Sequence, residues 1–248
     1  MDRTVVGFLF VGGLGGAGTM AGLLGTTSAS TYAASGSGGL TTGVFLSLML
    51  AAAAIATLNV SRLTLRWGRR RVFARAQMGI CVAWSIVGVI EMLTDSSLVV
   101  LYVAAPIFGV LSGITGVLTP FVSRAYLDPE SLSISLARRG VVSGLAAILG
   151  ASLGGILIHM TDPGVGILAN GLLTIPLAVF VTRCSPRSTQ EPVQRKRDSA
   201  RDLWTAVRMN PQLRTLTVLT IASVILVVPL FNLLGAILSL FTFLAVVP

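Results

Sequence analysis

Seven stretches of this chain, at about 5–27, 40–60, 76–94, 98–122, 136–159, 164–183 and 214–236, are apolar over roughly the length of a bilayer crossing. A helix needs about 20 mainly apolar residues to cross a hydrocarbon core of about 30 Å, because each residue advances it about 1.5 Å. Runs of this length read as membrane-spanning helices, so an all-α integral membrane protein is expected. Composition agrees, with 11% of the residues charged against about a quarter in a soluble domain. The first run carries Gly12, Gly13, Gly15, Gly16, Gly18, Gly22 and Gly25. Arg3 before it and T-S-A-S or T-Y-A-A-S after it would also fit a cleaved signal peptide; a long, weakly hydrophobic helix packed among others is the better account.

Lys and Arg are retained on the cytoplasmic side of a membrane, and all eighteen assort consistently here. Arg3 precedes the first run, six arginines from Arg62 to Arg75 follow the second, Arg124, Arg138 and Arg139 follow the fourth, and eight cations from Arg183 to Arg214 follow the sixth. The intervening loops, about 28–39, 95–97 and 160–163, contain neither Lys nor Arg. The reading is a multi-pass protein of the plasma membrane with its amino terminus in the cytoplasm and its seventh span running outward. A net charge of +9 would suggest nucleic acid on one face of a soluble domain; distributed among loops between spans, it does not.

The densest charge lies in Ser61 to Arg71, S-R-L-T-L-R-W-G-R-R-R, which reads as a short cationic loop between the second and third spans. Loops on the inner face collect arginine in any case, but the spacing here is specific. Leu63, Arg66, Gly68, Arg69, Arg70 and Arg71 match the G-x-L-x-D-R-x-G-R-R/K-R/K gating loop of major facilitator superfamily transporters, which this chain therefore resembles. Ser61 stands where that pattern has its first Gly, and Leu65 where it has the Asp that pairs across the two halves during gating. The resemblance implies a six-helix transporter half-bundle, a 3+3 inverted repeat, followed by a linker and a seventh span. It names no substrate.

Gly150, Gly154 and Gly155, in L-G-A-S-L-G-G-I-L, match part of a G-P-x-x-G-G signature found in the fifth helix of members of that family that export drugs by antiport; Ala151 replaces the proline. Close helix packing through small residues, which Gly140 and Gly144 also offer, explains the same pattern. In the fourth span Gly109 is present, but Ala105 occupies the position where many members carry Arg. Glu91, the one acid within an apolar run, is expected to reach the outer interface beside Thr94 and Asp95, as is His159.

The groups left to line a substrate cavity are neutral: Thr19, Tyr102, Ser112, Thr115 and Asn170, with Ser47 and Ser143 beside them. Transporters bind near the midplane, at helices interrupted by Gly or Pro, although each of these residues also suits an ordinary helix–helix contact. Cys81 and Cys184 lack the spacing of a metal site or structural disulfide. No His/Cys/Asp/Glu cluster, Ser-His-Asp set or phosphate loop is present, so neither enzyme chemistry nor a cofactor or metal is expected.

The domain reading is 1–183 as the six-span half, 184–213 as a cytoplasmic linker, and 214–248 as a seventh span with an apolar tail. Within the linker, A-R-D-L-W-T-A-V-R-M-N-P places Leu203, Trp204 and Val207 on one face, as in an amphipathic interfacial helix. The function expected is secondary-active export of a small molecule by an incomplete chain that works with a carboxyl-terminal half or a second copy. The alternative is a non-transporting membrane scaffold or a decayed remnant of a transporter.

Overall fold

The computed structural model describes residues 3–33, 38–94, 98–127 and 132–184, and, further on, 208–211, 214–215 and 218–219. Six helices follow one another: α1 (Arg3–Ala33), α2 (Gly38–Trp67), α3 (Arg69–Leu93), α4 (Leu98–Tyr126), α5 (Leu132–Met160) and α6 (Pro163–Arg183). Each is long and apolar enough to cross a membrane, and no strand occurs among the described residues.

The helices run well beyond the apolar stretches that signal them. α2 has 30 residues, about 45 Å of helix, and continues through the sequence expected to be a cationic loop. Arginine and leucine are good helix formers, and nothing before Gly68 breaks the pattern. The end of an apolar run marks where a helix leaves the hydrocarbon, not where it stops. The whole connection between α2 and α3 is Gly68, at φ 79° and ψ 145°, a region of backbone space that is essentially glycine's alone. Gly68 N still donates to Thr64 O, and Gly68 O accepts from Val72 N, so the chain turns without abandoning either helical ladder.

α6 is started by its own sequence. The Asp162 carboxylate accepts from Gly164 N at 2.7 Å, and Pro163 occupies the first turn, where its missing N–H costs nothing.

Ranked by packing, the helices form an open chain of neighbours: α2 on α4, α4 on α3, α3 on α6, α6 on α1, and α1 on α5. α2 and α5 stand at the two ends of this chain and are the least buried of the six. Two apolar cores fill the interior. One, at the end where the arginines lie, joins Phe8, Val60, Phe73, Leu118, Tyr126 and Val181; the other, at the opposite end, joins Ala29, Phe45, Trp84, Leu101, Phe108 and Ile167. Trp84 and Phe108 stack face to face in the second core, with centroids 3.8 Å apart.

The chain divides into two units, Met1–Thr189 and Gln190–Pro248. In the second, Arg214 N donates to Asn210 O and Thr215 Oγ1 to Pro211 O. The expected amphipathic segment from Ala200 and the expected seventh span over 214–236 fall almost wholly outside the described residues.

Candidate functional site

α6 ends at Arg183, and its last carbonyls have no donor within the helix. Arg70, in the first turn of α3, supplies them: Nε donates to Val181 O at 2.7 Å, and Nη2 to Thr182 O at 2.9 Å and Cys184 O at 2.7 Å. A guanidinium also complements the negative end of the helix dipole. Tyr126, the last residue of α4, aims its hydroxyl at the same carbonyls, 3.2 Å from Val181 O and 3.0 Å from Cys184 O. Its ring packs with Phe8 of α1 and Phe180 of α6, at centroid distances of 5.3 and 5.6 Å. Arg139 of α5 hydrogen-bonds Ser123 Oγ of α4 and lies 5.8 Å from the Phe8 ring centroid. One clamp thus ties α1, α3, α4, α5 and α6 together at the arginine end.

The other members of the cationic pattern have different surroundings. Arg69 lies over Phe121 of α4 at 4.7 Å, and Arg66 and Arg75 flank Trp67 at 5.9 and 4.9 Å. Leu63 packs on the arginine-end core. Gly68 and Arg71 are exposed, as is Leu65 at the position of the family's Asp. The sequence pattern did not single out Tyr126 or Arg139. The available signal was a tyrosine and an arginine at the polar ends of adjacent apolar runs, where each can reach a helix terminus.

The glycines divide into two kinds. A Cβ at Gly150 would strike the carbonyl of Ala17, and one at Gly154 would come within 2.9 Å of Ala21 Cα, so α5 rides directly on the backbone of α1. Likewise Gly109 faces the carbonyl of Met49, and a Cβ at Gly113 would lie 2.6 Å from Ala53 O, seating α4 on α2. Gly155, Gly140 and Gly144 face open space. The expectation of small-residue packing therefore describes Gly150 and Gly154 and does not describe Gly140 and Gly144.

Among the described residues, no hydrogen bond joins the side chains of any two of the five candidate cavity residues. Thr19 and Ser112 are exposed and Tyr102 is half-buried. Thr19 and Thr115 return their hydroxyls to their own helices, to Gly15 O and to Leu111 O and Ser112 O. Asn170, 2% exposed, lies against α1, where a Cβ at Gly22 would collide with it and one at Gly18 would come within 3.3 Å of its backbone. Its Oδ1 is a buried acceptor without a hydrogen-bond partner. Pro106 stands inside α4 and has no N–H to offer Tyr102 O four residues earlier, which leaves a backbone acceptor of the kind transport sites use. Of the two neighbouring serines, Ser47 is exposed and Ser143 lies beside Gly16 of α1.

Glu91 differs from its expected place at the outer interface, being 1% exposed. The buried face of α3 runs through Phe73, Gln77, Ile80, Trp84, Val87, Gly88 and Glu91, at the three- and four-residue spacing of one helical side, and Glu91 falls on it. Counting from the chain's apolar run placed the residue in depth but not around the helix axis. His159 is exposed near the end of α5.

The family model for the Major Facilitator Superfamily matches residues 5–247. No curated protein and no solved structure matches the chain.

Proposed function

The chain belongs to the Major Facilitator Superfamily, whose members are transporters and not enzymes, and from that premise we propose that its six described helices are one half of an alternating-access transporter that exports a small molecule. The observation that carries this reading is the exposure of α2 and α5. They terminate the packing chain and leave most of their length uncovered, as expected of helices that meet a second six-helix unit across a central cavity.

The order of packing supports the 3+3 repeat. Exchanging α1 with α4, α2 with α5 and α3 with α6 turns the sequence α2, α4, α3, α6, α1, α5 into its own reverse. Successive helices joined by short connections alternate in direction, so each exchanged pair runs oppositely, as an inverted repeat requires. The two glycine seats obey the same exchange, α4 on α2 through Gly109 and Gly113, and α5 on α1 through Gly150 and Gly154. Export rests on the partial fifth-span signature. The plasma membrane and a cytoplasmic amino terminus rest on the arginines, whose described side chains in this unit all lie at one end. A linker over 184–213 and a seventh span complete the proposed organisation.

One observation favours a scaffold that does not transport: Thr115 and Asn170 are buried between helices, Thr115 returns its hydroxyl to its own helix, and no hydrogen bond joins the side chains of the five candidate cavity residues. Dye uptake into inverted vesicles, with and without a proton gradient, separates the two readings. The chain is tested alone and together with a matching six-helix unit. Saturable, gradient-dependent uptake only in the pair is the expected result. Uptake by the chain alone would mean a working homodimer, and none in either would leave the scaffold.

A further inference from the structure

α1 and α5 touch closely from Gly13, where a Cβ would lie 3.1 Å from Val142, to Gly154 against Ala21. Towards the arginine end they part, and a cleft of about 370 Å³ opens between Leu9 of α1 and Ile134, Ala137, Arg138, Val141 and Val142 of α5. It extends about 12 Å along α5, eight residues of helix. Leu9 is its buried floor; Ile134 and Val141, 55% and 62% exposed, are its rim. Exposed apolar side chains are ordinary on a helix in lipid, but a cation among them is not. Arg138 is exposed and sits four residues from Ile134 and three from Val141, so its stem shares the cleft while its guanidinium can reach the polar boundary.

Among the described residues the charge around it is one-sided. Among the described residues of this unit the acids are Glu91 and Asp162, both near the opposite end, while Asp2, before α1, and Asp128 and Glu130, in the connector, lie outside the described residues. Arg139 is engaged by Ser123 and Phe8. Arg124 and Arg138, both exposed, stand one residue to either side of that Arg139 to Ser123 bond.

We propose that this cleft is a lipid site that holds one acyl chain between α1 and α5 and the phosphodiester of an anionic phospholipid on Arg138. A guanidinium fork matches phosphate oxygens in pairs, and basic pockets between spans take anionic headgroups. A zwitterionic lipid brings the same phosphate together with a cation that the neighbouring arginines repel, so the site discriminates by net headgroup charge. The inference concerns this chain by itself and takes the rim on α5 as facing lipid, the face that a second six-helix unit would otherwise approach.

The test uses the full chain in neutral detergent, titrated with phosphatidylglycerol or with phosphatidylcholine of the same chains, with bound lipid counted by intact-complex mass spectrometry. Phosphatidylglycerol is expected to bind in preference, as one retained molecule. Arg138→Ala and Arg138→Gln should each weaken it about tenfold or more, the loss of charge-assisted hydrogen bonds, and leave phosphatidylcholine unchanged. Val141→Trp, which fills the cleft from the rim, should reduce both lipids, and Arg71→Ala should reduce neither. Glycerophosphoglycerol, the headgroup without chains, should not displace the lipid. Equal affinity for the two lipids, or wild-type binding by both Arg138 variants, overturns the proposal. So does an equal loss in Arg71→Ala, which would indicate a diffuse field, or displacement by the bare headgroup, which would indicate an anion site alone. A preference that emerges only in Asp128→Asn/Glu130→Gln would show Arg138 already neutralised by the connector and would overturn it too.

Discussion

Arg70 illustrates how a residue legible as charge acquires a particular task through its neighbours. Its three hydrogen bonds to the end of α6 are charge-assisted, and losing such bonds costs about 1.5–3 kcal/mol each at most, less where water replaces them. Arg70→Ala is expected to lower stability by about 2 kcal/mol, read as a fall in the thermal midpoint of the solubilised chain. Arg70→Lys should recover only part of this, because an ammonium lacks the planar fork that reaches several carbonyls. Tyr126→Phe should cost about 1 kcal/mol. The double variant should fall short of the sum or exceed it, since the two side chains share Val181 O and Cys184 O as acceptors. Exposed Arg71 should give a change within about 0.5 kcal/mol on replacement by Ala. From the sequence, Arg70 and Arg71 are equivalent members of one run; only their angular positions on α3 separate a helix cap from a solvated charge.

At the scale of elements, the glycines make the contacts. Gly150→Ala and Gly113→Ala place a methyl against the backbone of the neighbouring helix, where no side chain can move aside, and overpacking of this kind costs about 1–3 kcal/mol. Gly144→Ala and Gly155→Ala meet open space and should be neutral or stabilising by up to about 1 kcal/mol, because Ala favours the helix. Denaturation midpoints across these four variants check the ordering; equal losses would remove the distinction between seated and open glycines. Gly68→Ala belongs to neither group. Nothing lies within 4 Å of its added Cβ, so any cost, about 1–3 kcal/mol, comes from the backbone at φ 79°. The spacing of Gly150 and Gly154 was readable, and so was their fitness for close approach. That Gly140 and Gly144, equally spaced, meet nothing was not, because spacing fixes a face and only the neighbouring helix decides whether that face is covered.

For the whole molecule, the orientation drawn from the arginines is open to direct measurement. Single cysteines at Arg69 and Arg197 should be labelled by an impermeant thiol reagent only from the cytoplasmic side, and cysteines at Ser37 and Ser96 only from outside; labelling at 197 only from outside would reverse the topology. The existence and order of the six helices, their family and the end of the bundle that carries the charge were all determined by the sequence, because each depends on quantities summed along the chain: apolar length against bilayer thickness, and the sign of charge between spans. Local helix propensity up to Gly68, which apolar length does not register, made the expected cationic loop a single glycine between two helices. Tertiary structure alone decided that Glu91 faces inward, that Arg70 and Tyr126 close the end of α6, and that α2 and α5 stand open. Each of these is a matter of rotation about a helix axis and of which neighbour lies there. A 3.6-residue repeat that is apolar on every side, as a spanning helix is, carries too little contrast between its faces to state that from within one chain segment.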